Sequence, residues 1–98
     1  MRNNRFEKLI EKWENRKISD ADFLAEFILK FESKKEMLDM LYSLFTRTER
    51  RMLATRLLIV KKLKEGRSQH EVSSSLHVGV ATVNRGALEI EKERFKFI

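Results

Sequence analysis

The sequence has no cysteine, no proline and only three glycines in 98 residues. Without cysteine there is no disulfide framework, no thiolate zinc site and no cysteine nucleophile, and nothing marks an oxidising compartment. Without proline, and with glycine scarce, the chain lacks the residues that tight turns between strands require, which favours helices. Long apolar runs are missing too. Residues 1–16 carry a charge every few positions, so they cannot form the apolar segment of a signal peptide. No later window approaches the roughly 20 apolar residues of a membrane span. Together these absences predict an all-α protein of the cytoplasm.

What is present is charge, unevenly spread. The chain holds 21 Lys+Arg against 15 Asp+Glu, a net charge of +6. Residues 1–45 contain nine basic and nine acidic side chains and residues 46–98 contain twelve and six, so the whole excess lies in the second part. Such a split points to a polyanion partner for one part and another task, such as assembly, for the other. Five of the seven phenylalanines and the only tryptophan and tyrosine fall within residues 1–45. That is more greasy surface than one small core needs. A chain of this size buries only about two-thirds of the surface its unfolded form exposes, so a second copy is the natural cover. Residues 1–98 are therefore read as one domain, with dimerisation helices up to residue 45 and the reading head after it.

Apolar spacing predicts five or six helices. Phe6, Leu9, Ile10 and Trp13 form a first stripe, and Phe23, Leu24, Phe27, Ile28 and Phe31 a second, wider one. Four helix starts resemble capping boxes: Ser19 with Asp22, Ser33 with Glu36, Thr46 with Glu49, and Ser68 with Glu71. The third opens a long helix expected to turn Leu53, Leu57, Val60 and Leu63 inward and to end at Gly66. A last helix begins near Val80.

The informative stretch is Ser68 to Leu88. Two short helices meeting closely need a small residue at the contact and apolar residues facing inward. Ser73 is the small residue, Val72 and Leu76 face inward, Val78 plugs the turn, and Val83 anchors the second helix with Val80 or Ala87 assisting. The usual turn glycine is replaced by His77, one of the commoner non-glycine residues at positive φ. This leaves Gly79, Val80, Ala81, Thr82, Asn84 and Arg85 at the start of the second helix, where small and amide side chains can approach base edges. Upstream, Arg67, Gln69 and His70 stand where phosphate would be met, Gln69 at a helix N-terminus. A bare helical hairpin that docks on another protein is the alternative. Catalysis finds no support, since His70 and His77 are seven apart with no carboxylate set around them, and the glycines stand singly.

Three blocks, T-x-x-E-R-x-x-x-x-T-R from Thr46 to Arg56, S-Q-x-E from Ser68 to Glu71 and G-V-A-T-V-N-R-G from Gly79 to Gly86, resemble the bacterial Trp repressor family. The resemblance implies an intertwined helical homodimer that presents a helix-turn-helix to a palindromic operator in double-stranded DNA, with L-tryptophan as corepressor. It assigns ligand contacts to Thr46, Arg56, Arg85 and Gly86, with Ser43 and Phe45 of the other subunit at the lip. The family's R-G-S-N-S pattern reads Arg85-Gly86-Ala87-Leu88-Glu89 here, so Glu89 either pairs with a ligand ammonium or fills the space. His70 and Ser73 replace basic residues, and Ile98 falls short of the family's closing helix. A branch of the family without an established tryptophan role also lacks that ending. Read without the resemblance, Arg56 pairs with a carboxylate such as Glu49, and Arg85 meets DNA phosphate.

Overall fold

The computed structural model describes residues 5–98, in which all regular structure is helical. The six helices are α1 (Glu7–Glu14), α2 (Asp20–Leu29), α3 (Lys34–Leu44), α4 (Arg47–Lys64), α5 (Gln69–Leu76) and α6 (Val80–Glu91). The all-α expectation therefore holds, at the upper end of the predicted number. The chain divides into two compact units, Met1–Leu44 and Phe45–Ile98. Among the described residues no helix is long and apolar enough to cross a membrane.

In the first unit, the aromatic stripes of α1 and α2 meet. Phe6 stacks on Phe27 with ring centroids 4.0 Å apart, Trp13 stacks on Phe23 at 5.3 Å, and Phe31 closes edge-on against both Phe6 and Phe27. The Trp13 indole N–H donates to Asp20 Oδ1 at 2.8 Å, which satisfies the one polar atom of that ring. Ser19 caps α2 by accepting from the Asp22 N–H. Ser33 likewise accepts from the Glu36 N–H, but the predicted box is not reciprocated: the Glu36 carboxylate turns away to accept from the Glu32 N–H at 2.7 Å and from both Nη atoms of Arg5 at 3.1 and 2.6 Å. The Arg5 hydrogen bonds first, and the Glu32 N–H second, pull the Glu36 carboxyl down from its ordinary value to about 2.

In the second unit α4 starts with the full reciprocal box. Glu49 N–H donates to Thr46 Oγ1 at 3.1 Å, and the Glu49 carboxylate accepts from the Thr46 N–H at 2.8 Å, which lowers its pKa. The helix ends as predicted at Gly66, whose φ of 92° lets Gly66 N–H reach Leu63 O and Arg67 N–H reach Lys62 O. Ile59, Val72 and Val83 form the buried centre, with Leu63, Leu76 and Val78 packed around it. Val72, Leu76, Val78 and Val83 thus do what their spacing predicts.

The inward face of α4 needs correction. Leu53 and Leu57 are exposed, as is Leu58, and the buried positions are Ile59 and Val60. Burial on α4 is concentrated in its C-terminal half, where α5 and α6 pack, and a stripe drawn from spacing alone does not say how far along a helix its neighbours reach. Val80 is 50 % exposed and so does not assist Val83, while Ala87 is half-buried.

Candidate nucleic-acid interface and adjoining cleft

The turn between α5 and α6 is built by His77, which takes the left-handed conformation at φ 56°, ψ 44°. Glycine is the usual occupant of that region, and a histidine there is uncommon but tolerated. Its conformation lets Val78 N–H bond back to Ser73 O at 3.2 Å, while Ser73 Oγ donates to Val78 O at 2.6 Å. Ser73 is therefore more than a small spacer: its hydroxyl ties the end of the turn to α5. Ser68 caps α5 from the other end by accepting the Glu71 N–H.

Gly79 is the N-cap of α6 and offers no side-chain cap, and a β-carbon added there would meet nothing within 4 Å. Neither packing nor backbone conformation therefore demands glycine at this position. Val80, Ala81, Thr82, Asn84 and Arg85 are all exposed along the start of α6, and Val83 alone among these points into the core. Arg67 and His70 are exposed and Gln69 is half-buried at the start of α5. A continuous exposed edge of small, hydroxyl and amide side chains on a rigidly anchored helix is what base reading in a major groove requires.

Between α4 and α6 lies a cleft of about 680 Å³, within the range of small-molecule sites. It gathers Arg56, Arg85, Gly86 and Glu89 of the predicted ligand set. Phe45 and Thr46 do not line it: Phe45 O accepts from Arg50 Nη1 at 2.8 Å, and Thr46 is committed to capping α4. Ser43 belongs to the first unit, where its hydroxyl meets Asp39 Oδ1 at 3.4 Å. The carboxylate suggested for Arg56, Glu49, is instead occupied by the Thr46 N–H.

Sequence reasoning missed Thr48, Arg51, Met52, Thr55 and Phe95, which also line the cleft. The first four were within reach. With Ile59 they recur along α4 at intervals of three and four, and so share a face. Phe95 was not, because it lies beyond α6. There the helix stops at a left-handed Glu93, Phe95 is left-handed as well, and Lys64 Nζ from the end of α4 donates to Phe95 O and, at 3.2 Å, to Ile98 O. The segment after α6 thus folds back onto α4 rather than extending the helix.

Gly86 has a packing role besides facing the cleft. A β-carbon there would stand 2.9 Å from Ile59 Cγ2, closer than real contacts allow. The absence of a side chain is what lets α6 lie against the core face of α4.

Two curated proteins from Vibrio vulnificus, strains YJ016 and CMCP6, each described as a Trp operon repressor homolog, are 38% identical to this chain over 66 residues. The match covers 65% of this chain and 65% of each relative's length. No solved structure gives a significant match. The family described as Trp repressor protein matches residues 19–97, a span that takes in the capped α4, the His77 turn and the exposed start of α6, and the chain belongs to the Trp repressor family.

Proposed function

We propose that the protein is a transcriptional regulator of the repressor type, which binds a palindromic operator in the cytoplasm as a homodimer. The observation that carries this reading is the exposed edge of α6, with Thr82 and Asn84 free while Val83 between them is fully buried. Family membership supports it, as does the cationic excess confined to residues 46–98. Arg67, Gln69 and His70 meet phosphates, and Gly79, Val80, Ala81, Thr82 and Asn84 approach bases. The cleft receives a small carboxylate ligand of the corepressor kind, as L-tryptophan would be, held by Arg56 and Arg85 and bringing ligand occupancy to bear on α6. Ser43, Phe45 and Thr46 enter this scheme only through the second subunit or the start of α4.

The test is selection of duplexes from a randomised library, followed by titration of the winners at several salt concentrations. Affinity should fall steeply as salt rises, in proportion to the phosphates neutralised. Thr82→Ala and Asn84→Ala should change the selected sequence and leave nonspecific binding nearly intact. A chain that selects no duplex and instead holds a protein partner through α5 and α6 would be an adaptor.

A further inference from the structure

Val83 is the one buried side chain of α6, and it stands in the first turn, between Thr82 and Asn84 of the exposed edge. Gly86, a turn further on, fits against Ile59 of α4. From there to the end of the helix, residues 87–91 are at most half-buried. A helix of 12 residues is about 18 Å long. A rod held firmly near one end swings about that end unless something also holds the other.

The second hold is the segment that follows the helix. α6 closes with the two hydrogen bonds of a Schellman turn, Glu93 N–H to Ile90 O at 2.9 Å and Arg94 N–H to Glu89 O at 3.0 Å. Gly66 ends α4 through the same pair of bonds, but at the end of α6 the left-handed residue is Glu93, at φ 63°. Two positions later Phe95 is left-handed as well, at φ 55°. Residues with a β-carbon keep that conformation where their surroundings fix it.

What fixes it is α4. Lys64 Nζ donates to Phe95 O and, at 3.2 Å, to Ile98 O, while Ile98 N–H closes the turn on Phe95 O at 3.3 Å. One ammonium thus grips both ends of a turn, and Phe95 lines the cleft between α4 and α6. The ion pairs of Glu89 with Lys92 and Arg94, and of Glu93 with Lys96, all lie within residues 89–96 and face solvent, where such pairs are worth little. They do not reach α4, and Lys64 does.

We propose that residues 93–98 are a strap that fixes the far end of α6 to α4, and that Lys64 is a positioning residue for DNA reading. By holding the strap it sets the angle at which Thr82 and Asn84 are presented. The proposal rests on the reading of α6 as the helix that enters the groove. With the strap docked, α6 is held at both ends and keeps one orientation. With the strap released, the chains spread over several orientations, and apparent affinity for the operator falls with the fraction that keeps the reading one.

The experiment compares the full chain with Lys64→Met, Lys64→Arg, Phe95→Gly and the double variant Lys64→Met with Phe95→Gly. The glycine accepts the left-handed backbone and removes the ring. The readouts are amide hydrogen exchange of the free protein, which reports local opening, and titration of the selected duplex over a range of salt. Lys64→Met should speed exchange in residues 86–91 and leave residues 7–29 unchanged. It should weaken the duplex about fivefold, the lower end of couplings between sites, with the salt slope unchanged because the ammonium is spent on carbonyls. Lys64→Arg should restore both readouts, and Phe95→Gly should act in the direction of Lys64→Met. The double variant should lose little more than Lys64→Met alone, as expected of residues that serve one contact.

Unchanged exchange at α6 in Lys64→Met would overturn the strap. Weaker binding with a salt slope reduced by about one, and no effect of Phe95→Gly, would make Lys64 a phosphate contact and overturn the proposal too. Faster exchange with unchanged duplex affinity would overturn the positioning role. A native chain that selects no duplex would remove the DNA-reading proposal and that role with it, while faster exchange in Lys64→Met would still show the strap as a contact of the fold.

Discussion

At Gly86 the demand for glycine is steric. The nearest atom to an added β-carbon is Ile59 Cγ2, a methyl on a β-branched carbon in the buried core, and it cannot swing aside as the end of a long side chain would. Gly86→Ala should therefore destabilise by about 1–3 kcal/mol, the usual range for overpacking, and a denaturant melt measures it. Because Gly86 also lines the cleft, affinity for the proposed corepressor should fall in the same variant. His77 is the opposite case, since it occupies a left-handed position that glycine adopts without strain. His77→Gly should raise stability by up to about 1 kcal/mol, the left-handed penalty less the added entropy of glycine in the unfolded chain. A lower melting temperature would mean that the imidazole contributes to the turn. The histidine's conformation was legible because it depends on position in a local turn. The role of Gly86 in packing was not, because it depends on Ile59, which is 27 residues away and was not among the residues expected to face inward.

Helix starts were legible for the same reason: a cap and its partner lie three residues apart. All four predicted serine or threonine caps accept the expected N–H. Thr46→Ala, which removes the acceptor from the one box reciprocated on both sides, should cost about 1 kcal/mol. Glu36 shows where local reading stops, because its carboxylate bypasses Ser33 for Arg5, 31 residues away in sequence. This contact makes the first unit sensitive to acid. The folded pKa of Glu36 is about 2 against an ordinary 4.5, so its contribution is complete above about pH 4.5 and is lost as pH falls from there toward 2. Unfolding titrations of the native chain should steepen across that window, and Glu36→Gln should flatten the curve there while leaving the neutral-pH cap of Ser33 in place. An unchanged acid limb in the variant would mean that another carboxylate governs it. Leu53 and Leu57 complete the contrast, since spacing put them inward although α5 and α6 pack against the far half of α4.

For the molecule as a whole, what decides is how little one chain buries. Among the described residues the buried hydrophobic side chains are Leu9, Ile59, Val60, Val72 and Val83, a thin core for 98 residues. Against them stand large apolar side chains left open to solvent in both units. Leu29 is 82 % exposed, Leu44 67 % and Tyr42 66 % in the first, and Leu53, Leu57 and Leu58 are exposed on α4 in the second. Soluble monomers rarely leave such surface uncovered, and small chains that cannot close a core alone do so by pairing. The proposed homodimer would cover this surface, and mass action would give it a signature that a monomer lacks. If folding and pairing are coupled, the melting temperature rises with protein concentration. Sedimentation equilibrium should give twice the chain mass at micromolar concentration, and thermal melts over a hundredfold range of concentration should shift upward. Leu29→Asp and Leu44→Asp place charges on side chains that make few contacts within the chain, so each should weaken association far more than it disturbs the fold of a single chain. A concentration-independent melt with the mass of one chain would refute the dimer while leaving the α5–α6 reading head untouched, since the buried Val72 and Val83 that hold it belong to the same chain.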